Sequence, residues 1–577
     1  MPRDLPAKYT IRGFRQALAS IDSIPQFAIL GVVSGLVTGL VIVAFRALIE
    51  LPLASVMGDD PENFEALNTA VTFLLPVGGG LVLAALFAFI SPASRRVGVV
   101  HVLERLARHQ GYLPWRNAMT QFFGGIIALA SGFSGGREGP AIHLGAAGTS
   151  LLGQALKLPN NSIRILVGCG AAAAISASFN TPLAGVIFSM EVILMEYTIA
   201  GFIPVILAAV TATLITQLVY GSSSAFAMPA DTAMSSFRDI PLLIIGGIAL
   251  GVIATIFVRL TEYLHRIAPP QFWLRFICTG LITGLLAIVS PEILGVGYDT
   301  VNSALHDEMF VTLLILVCAL KIVASAMTIA MGMPVGVIGP TLFIGATAGG
   351  VLAYMGELVY PNLASSSGFY VVIGMGAMMG AVLQAPLAAL LAVIELTQNT
   401  AIALPAMMVI IIANLTASQI FGVKSIFITQ MEYLGLEHRQ NPLSMHLNRA
   451  SVASIMSRSF ERVAIDLDID SARALVNQKP AWLLVDVEQR KPGFILPTVD
   501  VITYLENNKP ERVNLKEIPA TRKDVTSIML QATLKEALDV MNETGHESLY
   551  VNRISAPMID SVVGIITRQD IESYYQA

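Results

Sequence analysis

Charge is what this sequence has least of: 13% of its 577 residues are Asp, Glu, Lys or Arg, while 54% are hydrophobic. Soluble globular domains carry about 25% charged residues, so most of the length is not one. Cysteine is nearly absent as well. Cys169, Cys278 and Cys318 lie in apolar segments without ligand spacing and read as packing residues rather than disulfides or metal ligands. The eight histidines are scattered, and neither an HExxH string nor a Ser/His pair sits in the apolar segments, so neither an enzyme nor a metal site is expected. A net charge of −5 leaves no nucleic-acid footprint. Residues 1–25 are mixed and charged, without the apolar run and small-residue site of a cleavable signal peptide, so none is expected.

What is present is a succession of uncharged runs: 24–45, 67–94, 197–230, 240–258, 322–356, 358–394 and 396–423. Each reaches or approaches the roughly 20 residues that span a bilayer. Glycine and proline interrupt several, which predicts broken or tilted helices. This is the pattern of a polytopic all-α membrane protein. Residues 1–23 are expected to form an interfacial helix with Lys8, Arg12 and Arg15 on its polar face. Most charges of the apolar part, such as Arg95, Arg96, Glu104, Arg105 and Arg108, fall between spans. Glu138, Glu191, Lys321 and Glu395 do not, and ionisable groups inside a membrane are functional candidates.

Glu138 belongs to Gly136-Arg137-Glu138-Gly139-Pro140, followed by a small-residue stretch that reads as a helix opening on proline. The glycines allow close backbone approach. A helix start pointing into the protein offers free N–H groups and a positive dipole end to an anion. Glu138 stands at that place, able to occupy it when charged and to vacate it when protonated or displaced. An isolated string of this kind also occurs in ordinary glycine-rich loops. Here a second copy exists, Gly336-Val337-Ile338-Gly339-Pro340, 200 residues on and again opening a small-residue helix.

Two further pairs keep the same order. Gly168-Cys169-Gly170-Ala171 recurs as Gly374-Met375-Gly376-Ala377. Pro182-Leu183-Ala184, with Glu191 nine residues on, recurs as Pro386-Leu387-Ala388 with Glu395 nine residues on. The membrane part, 24–445, is therefore expected to be two homologous inverted halves, about 24–220 and 240–438. Their broken helices would meet end-on at the midplane, with both Gly-Pro motifs converging on one anion. From 446 to 577 the composition turns soluble. Strand-like runs at 481–488, 548–551 and 561–567, and a capping box at Thr533-Leu534-Lys535-Glu536, predict two similar β–α units at about 452–508 and 524–575.

These residues together resemble the CLC family of chloride channels and proton-coupled chloride exchangers, over nearly the whole chain. The resemblance implies a homodimer in the cell membrane, both termini cytoplasmic, and one chloride pathway per subunit gated by Glu138. Backbone of Gly136, Arg137, Gly139, Gly336, Val337, Ile338 and Gly339 would line it. The family's serine-bearing anion loop corresponds to Arg96-Val97-Gly98-Val99-Val100, so Val97 and Gly98 join the anion list with valine in place of serine. The family's tyrosine ligand corresponds to Phe427. Loss of the two hydroxyl donors is expected to weaken central binding by roughly 1–3 kcal/mol each.

Exchangers of the family carry a glutamate directly after the position of Glu191; here it is Val192. The resemblance links that change to a passive channel, gated by voltage or pH. The alternative is a chloride/proton antiporter using a different proton route, for which Glu191 is the first candidate. A more distant alternative is an unrelated inverted-repeat carrier of organic anions. His101 lies where the anion-facing loop turns, and His143 one turn beyond Glu138; each is read either as packing or interface, or as a pH-tuning group. The tail resembles a tandem pair of CBS domains. Thr567 and Asp570, with Asp500 in a weaker copy, would contact the ribose of an adenine nucleotide such as ATP or AMP, the competing reading being a helix N-cap.

Overall fold

The computed structural model describes residues 24–58, 62–222, 226, 234–359, 361, 365–436, 442–488, 491–508, 512–556 and 559–576. The expected interfacial helix at 1–23 lies outside them. Two compact units form. One comprises Phe27–Ala155 and Ile163–His438; the other is built mainly of Arg439–Ala577, with Leu156–Ser162 counted in it.

Among the described residues, the first unit begins with eight helices. These are α1 (Ile24–Met57), α2 (Thr69–Ala88), α3 (Gly98–Arg108), α4 (Trp115–Ala130), α5 (Glu138–Ala155), α6 (Asn160–Phe179), α7 (Pro182–Phe188) and α8 (Ile199–Tyr220). Eight more repeat their order: α9 (Ile240–Arg266), α10 (Phe272–Val289), α11 (Tyr298–Leu305), α12 (Val311–Ala330), α13 (Ile338–Val359), α14 (Ser367–Leu383), α15 (Pro386–Thr397) and α16 (Ala403–Leu415). A short α17 (Ile426–Tyr433) follows. The duplication inferred from three short motifs thus extends to the order of all sixteen helices before α17, with the seam between Tyr220 and Ile240. Nine of the described helices are long and apolar enough to cross a membrane.

Burial sorts the helices into an inner and an outer set. α5, α6 and α14 are rich in Gly and Ala and almost wholly buried, as is α13 up to Ala353, because small side chains let backbones pack closely. The outer helices α1, α2, α8 and α10 expose Leu40, Leu74, Leu218 and Leu285, an apolar surface suited to lipid.

The two halves also tie each other's broken helices. α7 continues as a π-helical turn, Ser189–Leu194, and that turn carries Glu191. The Glu191 carboxylate accepts the N–H groups of Leu387 (3.3 Å) and Ala388 (2.9 Å) at the start of α15. Glu395, near the end of α15, returns the contact by accepting from Leu183 (2.9 Å) and Ala184 (2.8 Å) at the start of α7. Both prolines that open these helices lack an N–H, and the carboxylates satisfy the next donors with charge suited to the dipole. Glu191, a candidate proton relay from the sequence, here caps a helix of the other half.

The second unit carries a six-stranded sheet of order β1-β3-β4-β6-β7-β8: β1 (Phe460–Ala464), β3 (Trp482–Glu488), β4 (Lys491–Pro497), β6 (Lys523–Met529), β7 (Ser548–Ala556) and β8 (Ile559–Thr567). Strands β2 (Asp466–Asp468) and β5 (Arg512–Asn514) form a separate pair. β1 leads through helix α20 (Ile469–Gln478) to the parallel β3, then to the antiparallel β4 and helix α21 (Thr498–Asn507). β6, α22 (Leu534–Thr544), β7, β8 and α23 (Arg568–Gln576) repeat that order, an arrangement compatible with a CBS pair. Before β1 come two short helices, α18 (Pro442–Asn448) and α19 (Val452–Ile455). The Thr533–Glu536 capping box is present, and Leu534 and Met541 are fully buried beneath it.

The reciprocal caps make a stability prediction. Glu395→Ala strips two backbone donors of a charged acceptor and should cost about 1–3 kcal/mol, read as a lower unfolding temperature of the purified protein. Glu395→Gln, which keeps an acceptor oxygen, should lose less.

Candidate functional site

The site begins with backbone. Gly136 and Gly336 face each other as an antiparallel bridge, the Gly136 N–H donating to the Gly336 carbonyl at 2.8 Å and the Gly336 N–H to the Gly136 carbonyl at 2.7 Å. A Cβ on Gly139 would collide with the Gly336 backbone, so the contact tolerates no side chain there. Through this pairing the starts of α5 and α13 lie side by side. It also corrects the expected ligand list, because the amides of Gly136 and Gly336 are spent on each other.

Glu138 opens α5 and is fully buried. Its Oε2 accepts the Gly339 N–H at 3.1 Å, in the first turn of α13. Its Oε1 accepts a hydrogen bond from the Tyr298 hydroxyl. The carboxylate of one motif thus rests on the helix start of the other, where unpaired N–H groups and the dipole favour a negative charge. Val337 and Ile338 are buried beside it.

Tyr298 was not singled out from the sequence. It is the first residue of α11, preceded by Gly297 in the left-handed region (φ +78°), where a Cβ would stand 2.6 Å from the Phe343 ring. Its N–H donates to Glu62 Oε2 at 3.2 Å, and its ring packs edge-on against Phe226 with centroids 4.9 Å apart. The Arg137 guanidinium lies 5.1 Å from the centre of that ring, held by Glu50 at 3.1 Å and Glu62 at 3.7 Å. A narrow cleft lined by Arg46, Glu50, Glu62 and Arg137 leads off this network. Lys321, completely buried, donates to the carbonyls of Ile293 and Gly295, each at 3.0 Å, and so fixes the loop that delivers Tyr298. One signal for Tyr298 did exist. The repeat offset of 200 residues carries Gly98, the start of α3 and a predicted anion ligand, onto Tyr298, the start of α11.

The remaining candidates divide. Val97 is the N-cap of α3, but the Gly98 N–H donates to Gln121 Oε1 at 2.7 Å and is not free for an anion. Gln121 itself donates to the Pro334 carbonyl at 3.0 Å. Phe427 is buried in the first turn of α17, and Val192 is buried with no ionisable atom to offer. His143 meets His101 rather than Glu138: His101 Nδ1 and His143 Nε2 lie 2.9 Å apart. In the tail, Asp570 accepts from the Thr567 N–H (2.8 Å) and hydroxyl (2.7 Å), which is the helix-capping arrangement. Asp500 accepts from the Thr521 N–H at 2.9 Å.

The fold agrees with what known proteins show. The family model for voltage-gated chloride channels matches residues 79–418. A protein of Ralstonia nicotianae described as ClcB-like is 33% identical over 351 residues, covering 60% of this chain and 82% of that one. The H(+)/Cl(-) exchange transporter ClcA of Vibrio vulnificus is 28% identical over 385 residues, 63% of this chain and 81% of the relative. Among solved structures, a slow cyanobacterial Cl-/H+ antiporter has a TM-score of 0.63 at 24% identity and covers 72% of this chain and 99% of its own. A eukaryotic CLC transporter, with a TM-score of 0.57 at 18% identity, covers 97% of this chain and 98% of its own. At those identities the structures speak for the fold. The chain belongs to the CLC family, described as voltage-gated chloride channels. It is thus a multi-pass membrane protein of chloride transport, and an unrelated organic-anion carrier is set aside.

The lysine clamp is open to test. Lys321→Met removes the donor from three carbonyls, those of Ile293, Gly295 and Val296, and should cost about 1–3 kcal/mol, seen as a lower unfolding temperature. Because the freed loop carries Tyr298, the same variant should also alter the pH dependence of anion flux.

Proposed function

We propose that this chain carries chloride through one pathway per subunit of a homodimer, opened when the Glu138 carboxylate leaves the start of α13. The observation that supports it is the Glu138 carboxylate lodged on the Gly339 amide, an anionic side chain held where a helix start favours an anion. Acid protonates Glu138 and removes the charge that competes with chloride, so flux should rise as pH falls on the side from which Glu138 is reached.

For coupling, two observations favour a passive channel, gated by voltage or pH. Val192 cannot hold a proton, and Glu191 is engaged with the start of α15. A second reading, chloride/proton exchange, draws on the names of the Vibrio exchange transporter and the cyanobacterial antiporter. The first candidate for a proton route in that reading is Glu191, whose carboxylate would have to leave the start of α15. The protein would sit in the cell membrane with both termini cytoplasmic. An adenine nucleotide at Thr567, Asp570 or Asp500 would require these residues to exchange their present hydrogen bonds for the ribose.

The decisive experiment is purified protein in liposomes under a chloride gradient, with chloride and pH recorded together. Chloride efflux that quickens in acid without uphill proton movement is the expected result, and Glu138→Gln should abolish its pH dependence. Protons driven against their gradient in fixed ratio to chloride would establish exchange instead. Unchanged pH dependence in Glu138→Gln would contradict the gate.

A further inference from the structure

We infer that the Tyr298 hydroxyl is an anion ligand of the pathway, taking over from Glu138 a chloride-sized ion when the gate opens. The inference rests on the reading of Glu138 as a gate and names the group that meets the ion in its place.

In the closed arrangement each carboxylate oxygen of Glu138 has one donor, the Gly339 N–H on Oε2 and the Tyr298 hydroxyl on Oε1. A cradle of one amide and one hydroxyl holds an anionic group by accepting nothing from it. When Glu138 departs, both donors are left in a buried place; Tyr298 is 6% exposed. A buried donor without an acceptor is costly, and its replacement partner must be a small anion or a water. The Arg137 guanidinium beside the ring tilts that choice toward the anion. The hydroxyl cannot readily swing away, because Gly297 fixes the backbone, Glu62 holds the Tyr298 N–H, and Phe226 flanks the ring.

The duplication makes the placement intelligible. Position 138 in the first half is glutamate, and its repeat equivalent 200 residues on is Ile338. Position 98 in the first half is glycine, and its equivalent is Tyr298. Each half contributes one polar side chain that the other lacks, the acceptor from one and the donor from the other. Since Val97 and Phe427 bring no hydroxyl, Tyr298 supplies one at the Glu138 position.

The test is chloride binding by calorimetry on the full-length protein in detergent, comparing Glu138→Ala with the double variant Glu138→Ala/Tyr298→Phe. Tyrosine to phenylalanine keeps the ring and its packing, and equal unfolding temperatures would confirm that both proteins fold. Glu138→Ala should bind chloride, and the double variant should bind about tenfold more weakly. Affinities within twofold of each other would overturn the role of Tyr298 while leaving the gate intact. No chloride binding by folded Glu138→Ala would overturn both. Tyr298→Phe alone should also loosen the gate, so that flux depends less on acid than in the parent protein; an unchanged pH profile would count against the inference.

Discussion

Everything at the site depends on two backbone hydrogen bonds between glycines. The Gly136–Gly336 bridge joins two chain segments 200 residues apart and sets the starts of α5 and α13 against each other. Any side chain on Gly139 would force them apart. What results is a place for the Glu138 carboxylate made by the Gly339 amide and the Tyr298 hydroxyl, without a lysine or arginine head in contact with it. That choice matters for transport, because conduction needs binding strong enough to admit an ion and weak enough to release it.

Charge is present, but set back by one layer. Arg137 is turned toward Glu50 and Glu62, with its guanidinium 5.1 Å from the centre of the Tyr298 ring. Lys321 is satisfied by carbonyls and acts on the site by fixing a loop. Buried charges of this kind persist only when paired or fully hydrogen-bonded. The same logic governs Glu191 and Glu395, which exchange caps between the halves. Of the four intramembrane candidates named from the sequence, then, Glu191, Glu395 and Lys321 hold the scaffold, and Glu138 rests on the start of α13.

Much of this was legible in the sequence. Low charge and long apolar runs gave a polytopic membrane protein, and three motif pairs in register gave the duplication. The Gly-Pro motifs located the helix starts. Less legible was which amides remain free. Gly136, Gly336 and Gly98 have the right residue type, yet pairing across the repeat and a side chain 23 positions away in Gln121 consume their donors. Such partners are set by tertiary contact, which spacing does not reveal. Tyr298 escaped notice because an aromatic after Gly-Val-Gly in an apolar chain looks like packing; only the repeat offset carried to every element exposes it. In the tail, three runs and one capping box outlined the two units, while β1, β4 and β6 were too short or too mixed in polarity to register.

The central claim is that the Glu138 carboxylate and the transported anion compete for one place between Gly339 and Tyr298. Anomalous diffraction from crystals soaked in bromide, taken on the parent protein and on Glu138→Gln, tests it most directly. The account predicts bromide within hydrogen-bond reach of the Gly339 N–H in the glutamine variant, with the Glu138 carboxylate holding that place in the parent. Bromide bound elsewhere in the variant, or seated beside an unmoved Glu138 in the parent, would contradict it.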